Sequence, residues 1–222
     1  MPEDSLKPVA TDTVAKILFA AEVEFSVRGF DGAAMKAIAR RAAVSQALLH
    51  YHFGSKDRLY EAVIAQRSQT INAERLALLG AVDRNADHAL ERILEALFRP
   101  PLGPSGGQGT YTRIFSGLVV GQERERALVR KHYDPTALAF VAALEDAVPG
   151  ADRATAAMSY TLALGALISV IGRDGRVERL MGRRGMQSFD AVLGQLTCFA
   201  KGGVLALARE NQNNQNHKRR KS

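Results

Sequence analysis

Apolar residues return every three or four positions along nearly the whole chain. Early on they fall at Val14, Ile17, Leu18, Ala21 and Phe25. Later they fall at Leu90, Ile93, Leu94 and Leu97, and then at Phe189, Val192, Leu193, Leu196, Phe199 and Ala200. That spacing lines one face of a helix. No stretch alternates apolar and polar residues long enough to make a strand. The expected fold is all-α. Composition agrees: Trp is absent and Ala and Leu dominate, and those two residues are at home in a helix interior.

Breakers divide this helical text. Thr11 or Asp12 can cap a first helix, which Gly29 stops. Short helices are expected over 34–42 and 46–52, with a turn at Ala43-Val44-Ser45 between them. Ser55 can cap a fourth helix over about 56–79. Helices are also expected over 87–98, ended by Pro100-Pro101, and over 110–120, 123–132 and 135–147. Residues 100–109 and 172–185 read as loops. Two long helices remain, about 152–171 and 186–209. The most apolar stretch, Ala156–Gly172, is interrupted by Ser159, Thr161 and Ser169 and falls short of the ~20 residues of a membrane span. No membrane is expected. Residues 1–10 look frayed, and residues 210–222, with Asn and Gln followed by Lys218-Arg219-Arg220-Lys221, look disordered.

Net charge is +7, which suits a polyanionic partner. Yet residues 1–60 nearly balance, with eight Lys and Arg against seven Asp and Glu. Much of the excess lies in 173–184 and in the final basic run, so bulk charge does not locate a binding surface. The single cysteine, Cys198, excludes an internal disulfide and a Cys-based zinc site. His50 and His52 lie two apart on a helix and point in different directions, so they cannot chelate together. No metal and no cofactor is expected. There is no P-loop, no dinucleotide fingerprint and no H-E-x-x-H.

The most informative stretch is Gly29–Tyr60, GFDGAAMKAIARRAAVSQALLHYHFGSKDRLY. It reads as two short helices joined tightly. Ile38 and Ala39 face Val44 and Leu49, and Ala42 and Ala43 are small where the helices close up. That is the helix-turn-helix plan, whose second helix enters the major groove.

Here the chain resembles the TetR (tetracycline-repressor) family. The matching residues are Gly29-Phe30, Ile38-Ala39, Ala43-Val44-Ser45, Leu49 and the block Tyr51–Leu59, YHFGSKDRL. The likeness covers about residues 11–65. It implies a three-helix DNA-binding head over 11–55 on a helical ligand-binding and dimerisation body over 56–209, with 56–79 as the connecting helix. Residues carried over to DNA are Lys36, Ser45, Gln46, Ala47, Leu48, His50, Tyr51 and Lys56. Gln46 takes a base-reading position. Ser45 caps the recognition helix. Lys56, at the start of the fourth helix, faces a phosphate. Leu48 stands where the family often has Thr, and either touches a thymine methyl or packs inside. Phe53 reads as plain core.

The resemblance further implies a cytoplasmic repressor. It would bind double-stranded operator DNA as a homodimer through the helices at 152–171 and 186–209, and a small-molecule effector would release it. Few charges interrupt the body helices, which favours a lipophilic effector. GRVERL, at 175–180, loosely resembles members that sense fatty-acyl compounds. Phe98, Tyr111, Phe115, Phe140 and Tyr160 are candidate pocket residues, though each reads more readily as ordinary core. The competing readings are a helical adaptor whose head binds protein and, less favoured, an enzyme without a motif.

Overall fold

The computed structural model describes residues 7–172, 175–182 and 188–219. Among these residues it is helical throughout, with no strand. The helices are α1 (Lys7–Gly32), α2 (Met35–Arg41), α3 (Gln46–Phe53), α4 (Lys56–Gly80), α5 (Ala89–Leu102), α6 (Thr110–Val120), α7 (Glu123–His132), α8 (Asp134–Ala147), α9 (Arg153–Ile171), α10 (Arg176–Met181) and α11 (Phe189–Arg219). A 3₁₀ turn, Pro104–Gly109, joins α5 to α6.

The chain divides into two compact units. The first comprises residues 1–69 and 110–132, and the second 70–109 and 133–222. The first unit therefore groups α6 and α7 with α1 to α3, and residues of α4 belong to both units.

In the first unit Ile17, Ala21 and Phe25 of α1, Ile38 and Ala39 of α2, Leu49 of α3 and Leu59, Val63 and Ile64 of α4 are all buried. Two buried carboxylates tie α1 to its neighbours. Glu22 accepts from Arg67 of α4 at 2.7 Å, and Glu24 accepts from Arg41 of α2 at 2.9 Å. Gly29 turns α1 aside with φ 66° and ψ 178°, a backbone state open to glycine. One further turn follows, to Gly32.

In the second unit α5 packs on α8 and α11, and α9 on α8 and α11. The core is built from residues such as Ile93, Leu97, Phe98, Phe140, Leu144, Tyr160, Leu167, Leu196 and Val204. Asp152 caps α9, its Oδ1 accepting from the Thr155 N–H at 2.9 Å. That bond is the first cause holding the Asp152 carboxyl below the usual range.

Four sequence expectations change. α1 begins at Lys7, ahead of the Thr11 or Asp12 cap. α5 runs through Pro100 and Pro101 to Leu102. Proline deprives the carbonyl four residues back of its donor. For Pro101 that carbonyl is Leu97's, and the buried Arg75 of α4 donates its Nε–H there at 3.0 Å. A tertiary donor stands in for the missing amide, and the helix continues. The 172–185 segment holds a short helix, α10, rather than loop alone. Finally, α11 continues past Arg209 to Arg219. Asn211 Nδ2 donates to the Gly150 carbonyl at 2.9 Å. Gly150 has φ +89°, and a Cβ there would stand 2.3 Å from Gln212 Nε2, so the 149–152 turn and the polar end of α11 fit closely.

Candidate nucleic-acid interface

The head's second and third helices meet through small and apolar residues. Ile38, Ala39 and Leu49 are buried, and the Val44 N–H reaches the Ala39 carbonyl at 3.0 Å across the turn. Ala43 supplies the sharp step with φ 54°; it is the one non-glycine residue of positive φ among those described. Ser45 has extended backbone angles, and its Oγ accepts from the Leu48 N–H at 3.0 Å. This is the side-chain cap expected from sequence. At the other end of α3 the His50 Nδ1–H donates to the Gly54 carbonyl at 2.9 Å. Gly54 has φ 71°, again a glycine conformation.

Only Leu49 of α3 is buried. Gln46, Ala47, Leu48, His50 and Tyr51 are exposed, as is Lys36 on α2. Leu48 is 37% exposed, so it does not pack inside, and Tyr51 is 83% exposed. A large aromatic left this open costs apolar hydration. Phe53 is half-buried rather than fully in the core. Ser55 Oγ accepts from the Arg58 N–H at 3.2 Å and caps α4.

Lys56 is half-buried. Its ammonium donates to the carbonyls of Asp31 and Ala33 at 3.3 and 3.2 Å, and lies 4.5 Å from the centre of the Phe30 ring. N–H···O bonds to a carbonyl most often measure about 2.9–3.0 Å. These are long, and an ammonium has three protons to give. Lys56 thus rests against the end of α1 with donor capacity to spare.

Phe30 is the centre of an aromatic knot. Its ring stacks 6.2 Å from Phe25 and meets Tyr60 edge-on at 5.1 Å. The Arg124 guanidinium of α7 lies 3.5 Å from the Phe30 centroid and 5.9 Å from that of Tyr60. Burial, with the Glu125 charge adding and Arg124 opposing, pushes the Tyr60 hydroxyl up to about 12. Sequence reading passed over Arg124, because its partner Phe30 is remote in the chain and no local pattern marks Arg124. It also passed over Arg40 and Arg58, two further exposed cations on α2 and α4.

The pocket candidates are all buried: Phe98, Phe140 and Tyr160 in the second unit, Tyr111 and Phe115 in the first. Phe140 and Tyr160 meet at 6.3 Å between ring centres, and Tyr111 and Phe115 at 6.4 Å. Burial raises the Tyr160 hydroxyl above its ordinary value. Gly103-Pro104-Ser105-Gly106-Gly107 has the spacing of a hydrolase nucleophile elbow, which requires a strand before it. Here it follows helix α5, and Ser105 donates its hydroxyl to Glu74.

Comparison with known proteins agrees with this geometry. Residues 17–63 match the family described as bacterial regulatory proteins, tetR family, and residues 93–203 match the tetracyclin repressor-like C-terminal domain. The regulator UidR of Escherichia coli K12 is 43% identical over 63 residues, 28% of this chain and 32% of that one. The chain thus spans about a third of that relative's length. Among solved structures, a TetR-like transcriptional regulator from Rhodococcus sp. RHA1 aligns with TM-score 0.63 at 25% identity, over 86% of this chain and 95% of its own. The fatty acid degradation regulator FadR of Bacillus halodurans aligns with TM-score 0.62 at 13% identity, over 85% and 98%. The second of these shows shared fold alone. A capped α3 seated on α2 by Leu49, in a chain whose two parts each match a model of one family, makes this chain a tetR-family transcriptional regulator.

Proposed function

We propose that the chain is a cytoplasmic repressor that grips operator DNA as a homodimer and lets go when a small lipophilic ligand occupies its body. The observation that carries the DNA reading is the exposed row Gln46, Ala47, Leu48, His50 and Tyr51 on a helix whose inner side is anchored by Leu49. Gln46 lies in the first turn of α3, the part of a recognition helix that meets base edges. Its amide can pair with an adenine in two places. Ser45, Tyr51, Lys36 and Lys56 contact phosphate around it, His50 lies beside the backbone, and Leu48 meets a thymine methyl.

The dimer reading rests on α9 and α11. Both helices are apolar over most of their length, yet most of that apolar length is exposed in the single chain. Met158, Leu162 and Phe199 stand open. Gly165, Gly194 and Gly202 face empty space where a Cβ would be, so another helix can approach closely. A four-helix bundle across a two-fold axis covers this face and sets two heads about 35 Å apart, one duplex turn. The lipophilic ligand is supported by the buried aromatic pairs and by a fold neighbour named for fatty acid degradation. Its mechanism is a population shift toward a head spacing that no longer fits the operator.

The test is selection of bound duplexes from a random pool, followed by titration of the recovered site with Gln46→Ala. Base preference should relax at one or two adjacent positions, by about 1–3 kcal/mol of discrimination. A pool that yields no preferred sequence, with weak binding indifferent to salt, would sink the DNA reading and favour a protein-binding head.

A further inference from the structure

We propose that Arg124 is a positioning residue for DNA binding: from the start of α7 it pins the Phe30 ring on which the Lys56 ammonium rests, and so aims that ammonium at the operator phosphate. The inference rests on the reading of Lys56 as a phosphate contact. All the groups involved belong to the first unit.

The guanidinium is itself held in place. Its Nε and Nη2 donate to Glu125 Oε1 at 2.8 and 2.5 Å. Glu125 is buried, and its other oxygen accepts from the Gln122 N–H at 3.1 Å. A Cβ on Gly121 would collide with the Glu125 stem, so the α6–α7 corner closes tightly on this side chain. With two of its nitrogens tied to Glu125, the guanidinium lies 3.5 Å from the Phe30 centroid. Cations within ~6 Å of a ring centroid are attracted to its face.

Phe30 follows directly on Gly29, where the backbone of α1 leaves the helical conformation. The ring's place therefore depends on what it stacks against. Lys56 lies 4.5 Å from the same ring, and its two carbonyl acceptors, Asp31 and Ala33, belong to the same short turn. Movement of that turn carries the ring and both acceptors together. The path runs from the α7 N-terminus through Glu125, Arg124 and Phe30 to Lys56.

The experiment uses the full chain and a duplex recovered from the random pool, with affinity measured by fluorescence anisotropy between 50 and 200 mM salt. The variants are Lys56→Ala, Arg124→Ala, Arg124→Lys, Arg124→Gln and the double Lys56→Ala/Arg124→Ala. Each phosphate neutralised contributes about 0.9 to the salt slope. Lys56→Ala and Arg124→Ala should each weaken binding roughly 5- to 20-fold and flatten the slope by about 0.9 per head. The double variant should bind no more weakly than Lys56→Ala, and Arg124→Lys, which keeps the charge but not the paired bonds to Glu125, should restore only part of the affinity. Should Arg124→Ala fail to fold, Arg124→Gln keeps the stem, removes the charge and answers the same question. If the Arg124 variants fold and keep the parent's salt slope, or if the double variant loses the product of the two single effects, the positioning role is overturned while the Lys56 contact stands. If Lys56→Ala binds like the parent, the phosphate reading fails and the proposal falls with it.

Discussion

Ala43 is held at φ 54° in the turn between α2 and α3. A Cβ in this left-handed region costs about 1–2 kcal/mol. Glycine removes that strain and loses part of the gain to its freer unfolded chain. Ala43→Gly should therefore stabilise the protein by about 0.5–1 kcal/mol, read as a higher urea midpoint at unchanged slope. A lower midpoint would mean that the Ala43 methyl contributes more than its backbone costs. The neighbouring Ser45 shows what sequence discloses at this scale. A hydroxyl just ahead of an apolar helix announces a cap, and the cap is present. Leu48 shows the limit. Leu49 is placed against Ile38 by its spacing and is buried there, whereas Leu48 could touch DNA or pack inside, and only the packing of α2 on α3 leaves it out.

At the scale of elements, α5 depends on α4. Arg75 is 1% exposed and its Nε–H occupies the Leu97 carbonyl that Pro101 leaves without a donor. Arg75→Ala removes the donor and opens a void, and should cost about 2–5 kcal/mol. Pro101→Ala returns an amide to that carbonyl, so it should recover part of the loss in the Arg75→Ala background and little in the parent, as thermal unfolding would show. Equal effects in both backgrounds would disconnect the two residues. The proline rule applied to the sequence was sound about the missing N–H, but it could not foresee a donor 22 residues away. The polar end of α11 was illegible for a related reason. Asn and Gln are common in disordered tails, and what holds them here is the distant Gly150 turn.

Lys201 of α11 bonds Glu91 of α5, and that bond is the first cause lowering the Glu91 carboxyl below its ordinary 4.5. A depressed carboxylate adds stability above its unfolded value and loses it as pH falls through the folded one. Glu91→Gln should thus narrow the stability gap between pH 7 and pH values below 4.5, with little change at the acid end. An unaltered acid limb in denaturation curves would show that the pair contributes nothing in solution, as exposed ion pairs often do.

For the whole molecule, the apolar face of α9 and α11 makes association the central expectation. Phe199 is 72% exposed, and a charge there sits badly in a dry helical interface. Phe199→Asp should yield monomers in sedimentation and weaken operator binding by about 100-fold or more, because two linked heads bind with high effective concentration. A variant that stays dimeric, or a monomer that binds undiminished, would refute that assembly. The helical plan and the helix-turn-helix were legible because their determinants are local: spacing, caps and glycines. The grouping of α6 and α7 with the head was not, since it rests on contacts between segments some ninety residues apart, such as Phe30 with Arg124.

α4 carries no proline and no internal glycine before Gly80, so it behaves as a stiff rod rising ~1.5 Å per residue. Within the first unit the stretch from Gln69 back to Lys56 is therefore ~20 Å long, and a bend of ~5° along it moves Lys56 by up to ~2 Å. A hydrogen bond to phosphate does not survive so large a shift. On the proposed reading of Lys56 as a phosphate contact, a bend of that size within this helix would be enough to loosen the protein's hold on the double helix.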